Sequence, residues 1–285
     1  MRLKHLDATW VTKRMQDEQR LIEQSKKNLP DDESLITQRH LGALEMHHYT
    51  LGLYQYAINS PLETIQASLH QASTMYFQMI QLRVSGRVPL QFVPNNPADP
   101  KEMSWMFSPE TNPEKFKPNY AWTDSCASLK YSFVALLAKD IQLAHQIMVN
   151  IWDPEGAVYV GPKSEVCTTT KQSLAYALRE FVKNDVDQAK HFLGFIKTYH
   201  SFLGPQKRML NAIIQSNGSG FLKSLNILLD EHQEEALKKK NHKNPDFFLC
   251  LPALGLSKLA LQHQVINLAD LPEHNLFFSK EFLIS

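Results

Sequence analysis

SLKYSFVALLAKDIQLAHQIMVNI (residues 128–151) is written again 45 positions later as SLAYALREFVKNDVDQAKHFLGFI (residues 173–196). Ser128, Leu129, Tyr131, Asp140, Ala144 and Ile151 recur as Ser173, Leu174, Tyr176, Asp185, Ala189 and Ile196. Between these identities the apolar character is kept at Phe133/Leu178, Leu136/Phe181, Leu137/Val182, Ile141/Val186, Ile147/Phe192 and Met148/Leu193. The acid falls in both copies where one helix should stop and the next begin. Lys139-Asp140 and Asn184-Asp185 each pair a helix-stopping position with a side chain suited to accept from free amide groups. Gln188, three residues after Asp185, adds a capping-box signal. A repeated helical hairpin explains this pattern, because such a unit needs a neighbour to cover its apolar face. Residues 124–152 and 173–200 are therefore expected to be equivalent hairpins, in a surface built for binding rather than for a reaction.

Working outward, Ile36, His40, Ala43, Leu44, His47, Leu51, Tyr54 and Ile58 hold one helical face that Asn59-Ser60-Pro61 ends. Ser60 as cap, Pro61 in the first helical position and Glu63 start the next helix, with Ile65, Leu69, Ala72, Tyr76 and Ile80 as its stripe. These two helices should form an antiparallel hairpin. Downstream, a short helix is expected over about 205–216, then a turn at Asn217-Gly218-Ser219-Gly220, then a helix beginning at Phe221. Glu234/Lys238 and Glu235/Lys239 fit a solvated face of that helix. Residues 246–263, apolar on nearly all sides, read as the central helix.

Residues 86–122 break the helical pattern with prolines at 89, 94, 97, 100, 109, 113 and 118. A continuous helix is forbidden there and a central strand disfavoured. The segment also carries Phe92, Trp105, Met106, Phe107, Phe116, Tyr120 and Trp122, too aromatic for a disordered linker, so a long ordered loop is expected. Its rings serve either as core plugs or, at Trp105 to Phe107 especially, as anchors for a partner. The expected fold is thus all-α: antiparallel helical hairpins with a repeated pair and one long Pro-rich ordered loop. Its regions are an N-terminal hairpin region (1–85), the loop (86–122) and a helical-repeat region (123–285), in one continuous core.

Thirty basic residues against 29 acidic give a net charge of +1, which argues against a general nucleic-acid binder. Cys126, Cys167 and Cys250 are too few and too far apart for a disulfide framework or a metal knuckle, so reduced thiols in a cytosolic protein are expected. The N-terminus has no apolar core of signal-peptide length, and the longest apolar run, 247–256, is too short to span a bilayer. No membrane partner is expected.

No catalytic motif stands out along the chain. Glu45-Met46-His47-His48 lacks the HExxH spacing of a zinc helix, and His40 and His47 fit packed or hydrogen-bonded core histidines. Asp31-Asp32-Glu33 precedes a helix, where negative charge favours the helix dipole without a metal. There is no His-Asp dipeptide, nucleophile elbow or Gly-rich phosphate loop. No catalytic, cofactor-binding or metal-ligating residue is assigned, and no cofactor is expected.

Residues 248–260, FLCLPALGLSKLA, followed by a short loop and Asp270-Leu271-Pro272, resemble the C-terminal helix and acid-then-Leu-Pro tail of the immunity 49 family, bacterial proteins that neutralise polymorphic toxins. The Pro-rich segment leading into Trp122-Thr123-Asp124, the helix pair through Leu136-Leu137-Ala138-Lys139-Asp140, and Phe221 to Leu237 follow in the family's order, over roughly residues 85–275. The chain departs from the family in lacking an aromatic before the terminal Leu-Pro and in placing Pro252 inside the long helix. The resemblance implies a cytoplasmic immunity protein that binds a cognate toxin domain and occludes its active site. Under that reading Trp105, Phe107, Glu110 and Glu114 of the loop are the candidate toxin-binding residues. Two other classes stay open: a helical-repeat scaffold binding a peptide or regulatory protein, and an all-helical enzyme without a recognisable motif.

Overall fold

The computed structural model describes residues 3, 6–87, 90–92, 116–118, 123–151, 169–196, 202–273 and 275–284. Among them are ten α-helices and two three-residue strands, so the chain is all-α as its patterning predicts. The strands, β1 (Leu90–Phe92) and β2 (Phe116–Pro118), pair antiparallel with Leu90 opposite Pro118. This ribbon is an addition to the expected irregular connection. With two strands both are edges, where a proline is tolerated.

The repeat is realised at the level of single hydrogen bonds. Helices α4 (Ser125–Leu137) and α5 (Ile141–Val149) form one hairpin, α6 (Thr169–Val182) and α7 (Val186–Gly194) the next. Lys139 and Asn184 both take left-handed backbone, with φ 63° and 64°. The amide of Asp140 donates to Ala135 O at 3.0 Å and that of Asp185 to Glu180 O at 2.9 Å, which ties off the first helix of each pair. Each aspartate then caps the second helix, accepting from Leu143 N at 2.8 Å and Gln188 N at 3.0 Å.

A third copy is visible only in three dimensions. Helices α8 (Leu203–Ile214) and α9 (Gly218–Ala236) are joined by the same turn. Ser216 has φ 52°, the Asn217 amide donates to Ala212 O at 2.9 Å, and the Asn217 side chain accepts from Gly220 N at 2.9 Å. The Asn217-Gly218-Ser219-Gly220 segment is thus a cap and first helical turn, so α9 begins three residues before the expected Phe221. Leu136, Phe181 and Ile213 are buried at one equivalent position, and Ala144, Ala189 and Phe221 at another. Phenylalanine where the first two copies have alanine explains why sequence comparison does not find this copy.

Helices α2 (Gln38–Ala57) and α3 (Leu62–Val84) form a fourth hairpin with a related turn at Asn59, φ 66°. Here Pro61, not Ser60, is the cap residue, and no side chain caps the helix, so the expected start lies one residue early. Helix α2 is buried around most of its circumference because α1 (Ala8–Lys27), capped by Asp7, covers a second face. Ile22 of α1 packs with Leu44 and Leu51 there. Helix α1 shows no strong apolar stripe in the sequence, since only Val11, Glu18 and Ile22 of its 20 residues are buried.

Successive hairpins pack side by side. Helices α4, α6 and α8 touch in series, while α3 packs on both α4 and α5. Gln66 Nε2 donates to Leu137 O at 3.1 Å, and Arg83 spans the first repeat by donating to Thr123 O at 2.8 Å and Asn150 O at 2.7 Å. Helix α10 (Leu251–Gln262) lies against α4, α8 and α9 and is buried at nine of the ten positions 251–260, as a central helix should be. It is shorter than the apolar run that predicts it. Pro252 sits in its first turn, where the missing N–H costs nothing, and so starts the helix instead of interrupting it. Gly255 permits the close approach of α10 to α4, since a Cβ there would stand 2.1 Å from Phe133 Cδ1. The C-terminal tail locks this arrangement: Cys250 N donates to Phe277 O at 2.8 Å, Tyr56 Oη to Leu276 O at 2.7 Å and Lys258 Nζ to Leu283 O at 2.9 Å. One apolar cluster runs from Leu3 to Leu283.

Candidate functional site

Where α2, α4, α8 and α9 meet the start of α10, a cleft of about 480 Å³ opens. Its walls are mostly rings and aliphatic chains, among them Tyr49, Tyr131, Phe133, Phe202, Phe247 and Leu251. The polar groups are few and placed apart, the composition usual for ligand clefts.

At one side stands an ion pair held by aromatic faces. Lys130 Nζ lies 3.6 Å from the centre of the Tyr49 ring and 5.2 Å from that of Tyr131, and 3.5 Å from Asp246 Oδ1. Burial, with the nearby charge of the same aspartate, holds the Tyr49 hydroxyl well above the ordinary tyrosine range. Tyr131 in turn stacks on Tyr76 at 4.5 Å, and Tyr76 bonds Ser128 Oγ at 2.8 Å, so the ring that supports Lys130 is itself fixed. One helical turn before Tyr49, Glu45 is buried with Oε1 unpartnered. Its carboxyl is pushed up to about 8, chiefly by desolvation, against the pull of Lys130. It is therefore neutral at pH 7.

Across the cleft, His232 of α9 is 3% exposed. Its Nε2 lies 3.1 Å from Phe247 O. A carbonyl oxygen carries no proton, so Nε2 is the donor and Nδ1 the acceptor. Burial lowers the ring to about 4, which keeps it neutral, and Nδ1 is buried without a partner. Phe202, Phe247 and Phe277 surround the ring at 6.4, 5.9 and 5.2 Å.

None of these residues is singled out by the sequence. The one available signal is a break in the repeat: Lys130 stands where the second copy has Ala175. Asp246 and Phe247 belong to a stretch that reads as buried helix, yet they form a separate 3-10 turn (Pro245–Phe247) that carries the cleft wall. Trp105, Phe107, Glu110 and Glu114 lie outside the described residues. His47 is hydrogen-bonded to Glu18 at 2.7 Å in a part-buried contact, while His40 Nδ1 accepts from Thr37 N at 3.3 Å at the exposed start of α2 rather than in the core. His48, half-buried, is lowered to about 4 by desolvation. The expectation of three reduced thiols fails at Cys126, which is disulfide-bonded. Cys250 is a free, buried thiol, raised to about 12.

Among the described residues no group of three His, Cys, Asp or Glu side chains is placed to hold a metal ion. No described helix is long and apolar enough to cross a membrane. The fold defines a class, an array of antiparallel helical hairpins closed by a central helix. No protein-family model, curated protein or solved structure matches the chain.

Proposed function

We propose that this chain is an immunity protein, which binds a cognate bacterial toxin domain in the cytoplasm and neutralises it by stoichiometric occlusion. The reading rests on the order of its apolar and Pro-rich segments, similar to that of the immunity 49 family, and not on a family match. The observation that carries it furthest is the placement of α10. Open helical-repeat scaffolds take peptides against a row of exposed helices. Here the chain's own α10 lies against α4 and α8 of that row, and His263 just beyond it contacts Phe181 of α6 at 4.9 Å. Recognition is left to the outer surface and connecting segments. A stiff body with an externally presented surface is what an occluding inhibitor needs, because pre-organisation limits the ordering cost of binding.

The test is co-expression with the toxin encoded beside the gene. Protection of the host and a complex of fixed stoichiometry are expected. His47→Ala, His48→Ala and Cys167→Ser variants that fold should still protect. The double change Trp105→Ala/Phe107→Ala should weaken binding by about 2 kcal/mol or more, on the scale of interface hot spots, with melting unchanged. Loss of protection by a folded, toxin-binding His47→Ala variant would favour an enzymatic mode instead.

A further inference from the structure

We infer that the turn after α9, together with the start of α1 beside it, is a docking surface for an anionic lipid bilayer. Residues 236–245 hold Lys238, Lys239, Lys240, His242 and Lys243 and no acid. The segment is a compact turn and not a loose tail. The amides of Asn241 and His242 donate to Lys238 O at 2.8 and 3.0 Å, and Asn244 N donates to Asn241 O at 2.8 Å. Lys243 Nζ lies 5.3 Å from the centre of the Trp10 ring, which sets the turn against α1. Lys13 and Arg14 stand three and four positions after Trp10 on that helix, on the face Trp10 occupies. One patch thus gathers basic side chains from two distant segments of a chain whose net charge is only +1.

The ordinary uses of such charges do not account for it. Lysines that follow a helix commonly serve its last carbonyls. Here other donors do so: Leu237 N meets Gln233 O at 3.1 Å, Lys238 N and Asn241 Nδ2 meet Glu235 O at 3.2 and 2.9 Å, and His242 Nδ1 donates to Lys239 O at 2.6 Å. Ion pairing explains Lys238, held by Glu235, and Arg14, 3.7 Å from Asp17. Lys13, Lys239, Lys240 and Lys243 are exposed, and among the described residues no carboxylate pairs with them.

The chemistry of the patch selects a bilayer among polyanions. The cations without an ion partner are all lysines, point charges that attract phosphate without the bidentate grip by which arginine reads a fixed geometry. Leu237, 50% exposed at the head of the turn, and the partly buried Trp10 add apolar groups beside the ammoniums, the combination that suits a headgroup boundary. Clustered lysines at an anionic leaflet contribute about fivefold each to affinity. The expectation of no membrane partner rests on the lack of a spanning segment, which a peripheral contact does not need.

The inference does not rest on the toxin-neutralising reading, and each can fail without the other. The test is sedimentation of the full chain with vesicles of equal parts phosphatidylglycerol and phosphatidylcholine, with vesicles of phosphatidylcholine alone, and competition by an RNA duplex. Binding to the anionic vesicles only, released at about 0.5 M salt, is expected. Lys239→Gln/Lys240→Gln should weaken that binding about 25-fold and Leu237→Ser about fivefold, with melting unchanged. No binding to the anionic vesicles, equal binding to both kinds, or binding that ignores either change would overturn the inference. An RNA duplex bound as tightly as the vesicles would overturn it too and mark the patch as a nucleic-acid contact. The comparisons among vesicles and RNA need only the unmodified protein.

Discussion

Replacing Glu45 by glutamine should make the protein more stable in mild alkali and little different in acid. Glu45 is 9% exposed, and its carboxyl ionises near 8 in the folded protein against an ordinary value of 4.5. The folded state thus holds a proton that the unfolded chain releases. Stability from this group is complete below pH 4.5, declines as pH rises, and is lost once pH passes about 8. Each pH unit in that window is worth about 1.4 kcal/mol, so the whole effect is about 5 kcal/mol, of which about 3 kcal/mol is already lost at pH 7. Glutamine has nearly the same shape and never ionises, so its stability carries no such slope. Urea denaturation of both proteins at pH 5, 7 and 9 measures this directly. The two should agree within about 1 kcal/mol at pH 5, while the variant should exceed the parent by about 4 kcal/mol at pH 9. All other groups titrate in both proteins, so the difference between the curves isolates position 45. Parallel curves would refute the reasoning and mean that Lys130 and water keep this carboxylate charged in the fold.

His232 should act with the opposite sign: its folded value near 4 lies below the ordinary 6.5, so its stabilisation is present above pH 6.5 and is lost as pH falls to 4. His232→Phe should remove up to about 3 kcal/mol of that acid sensitivity in the same denaturation series. Asp185→Ala should cost about 1 kcal/mol as the loss of a cap, and Asp140→Ala more, because Asp140 Oδ2 also meets His70 Nε2 at 3.1 Å. Equal costs would remove the His70 contact from the account. Gly255→Ala should destabilise by about 1–3 kcal/mol through overpacking against Phe133, and by less in a Phe133→Leu background; additive costs in that double-mutant cycle would separate the two residues. Leu136→Asp or Phe181→Asp places an unpaired charge at a buried repeat position, and each should cost several kcal/mol, about 3 or more, seen as loss of the cooperative thermal transition.

The sequence by itself determined the helical hairpins. Asp140 and Asp185 after a left-handed residue specify stop and start within three positions, and such local signals act through backbone hydrogen bonds that need no distant partner. The apolar run that becomes α10 was legible for a similar reason, since a helix without a polar face has to be central. What tertiary structure decided was everything that depends on which faces meet. The third hairpin keeps the turn but buries Phe221 where the first two bury alanine, a difference that the turn signal does not encode. The polar helix α1 finds its place only because α2 has a second apolar face to cover. The cleft draws Tyr49, Lys130, His232 and Asp246 from segments as far apart as residues 49 and 246, and no local spacing encodes that meeting. Burial there changes the chemistry as well: the neutral Glu45 and the unpartnered Nδ1 of His232 are products of desolvation, a property of the packed interior and not of the chain.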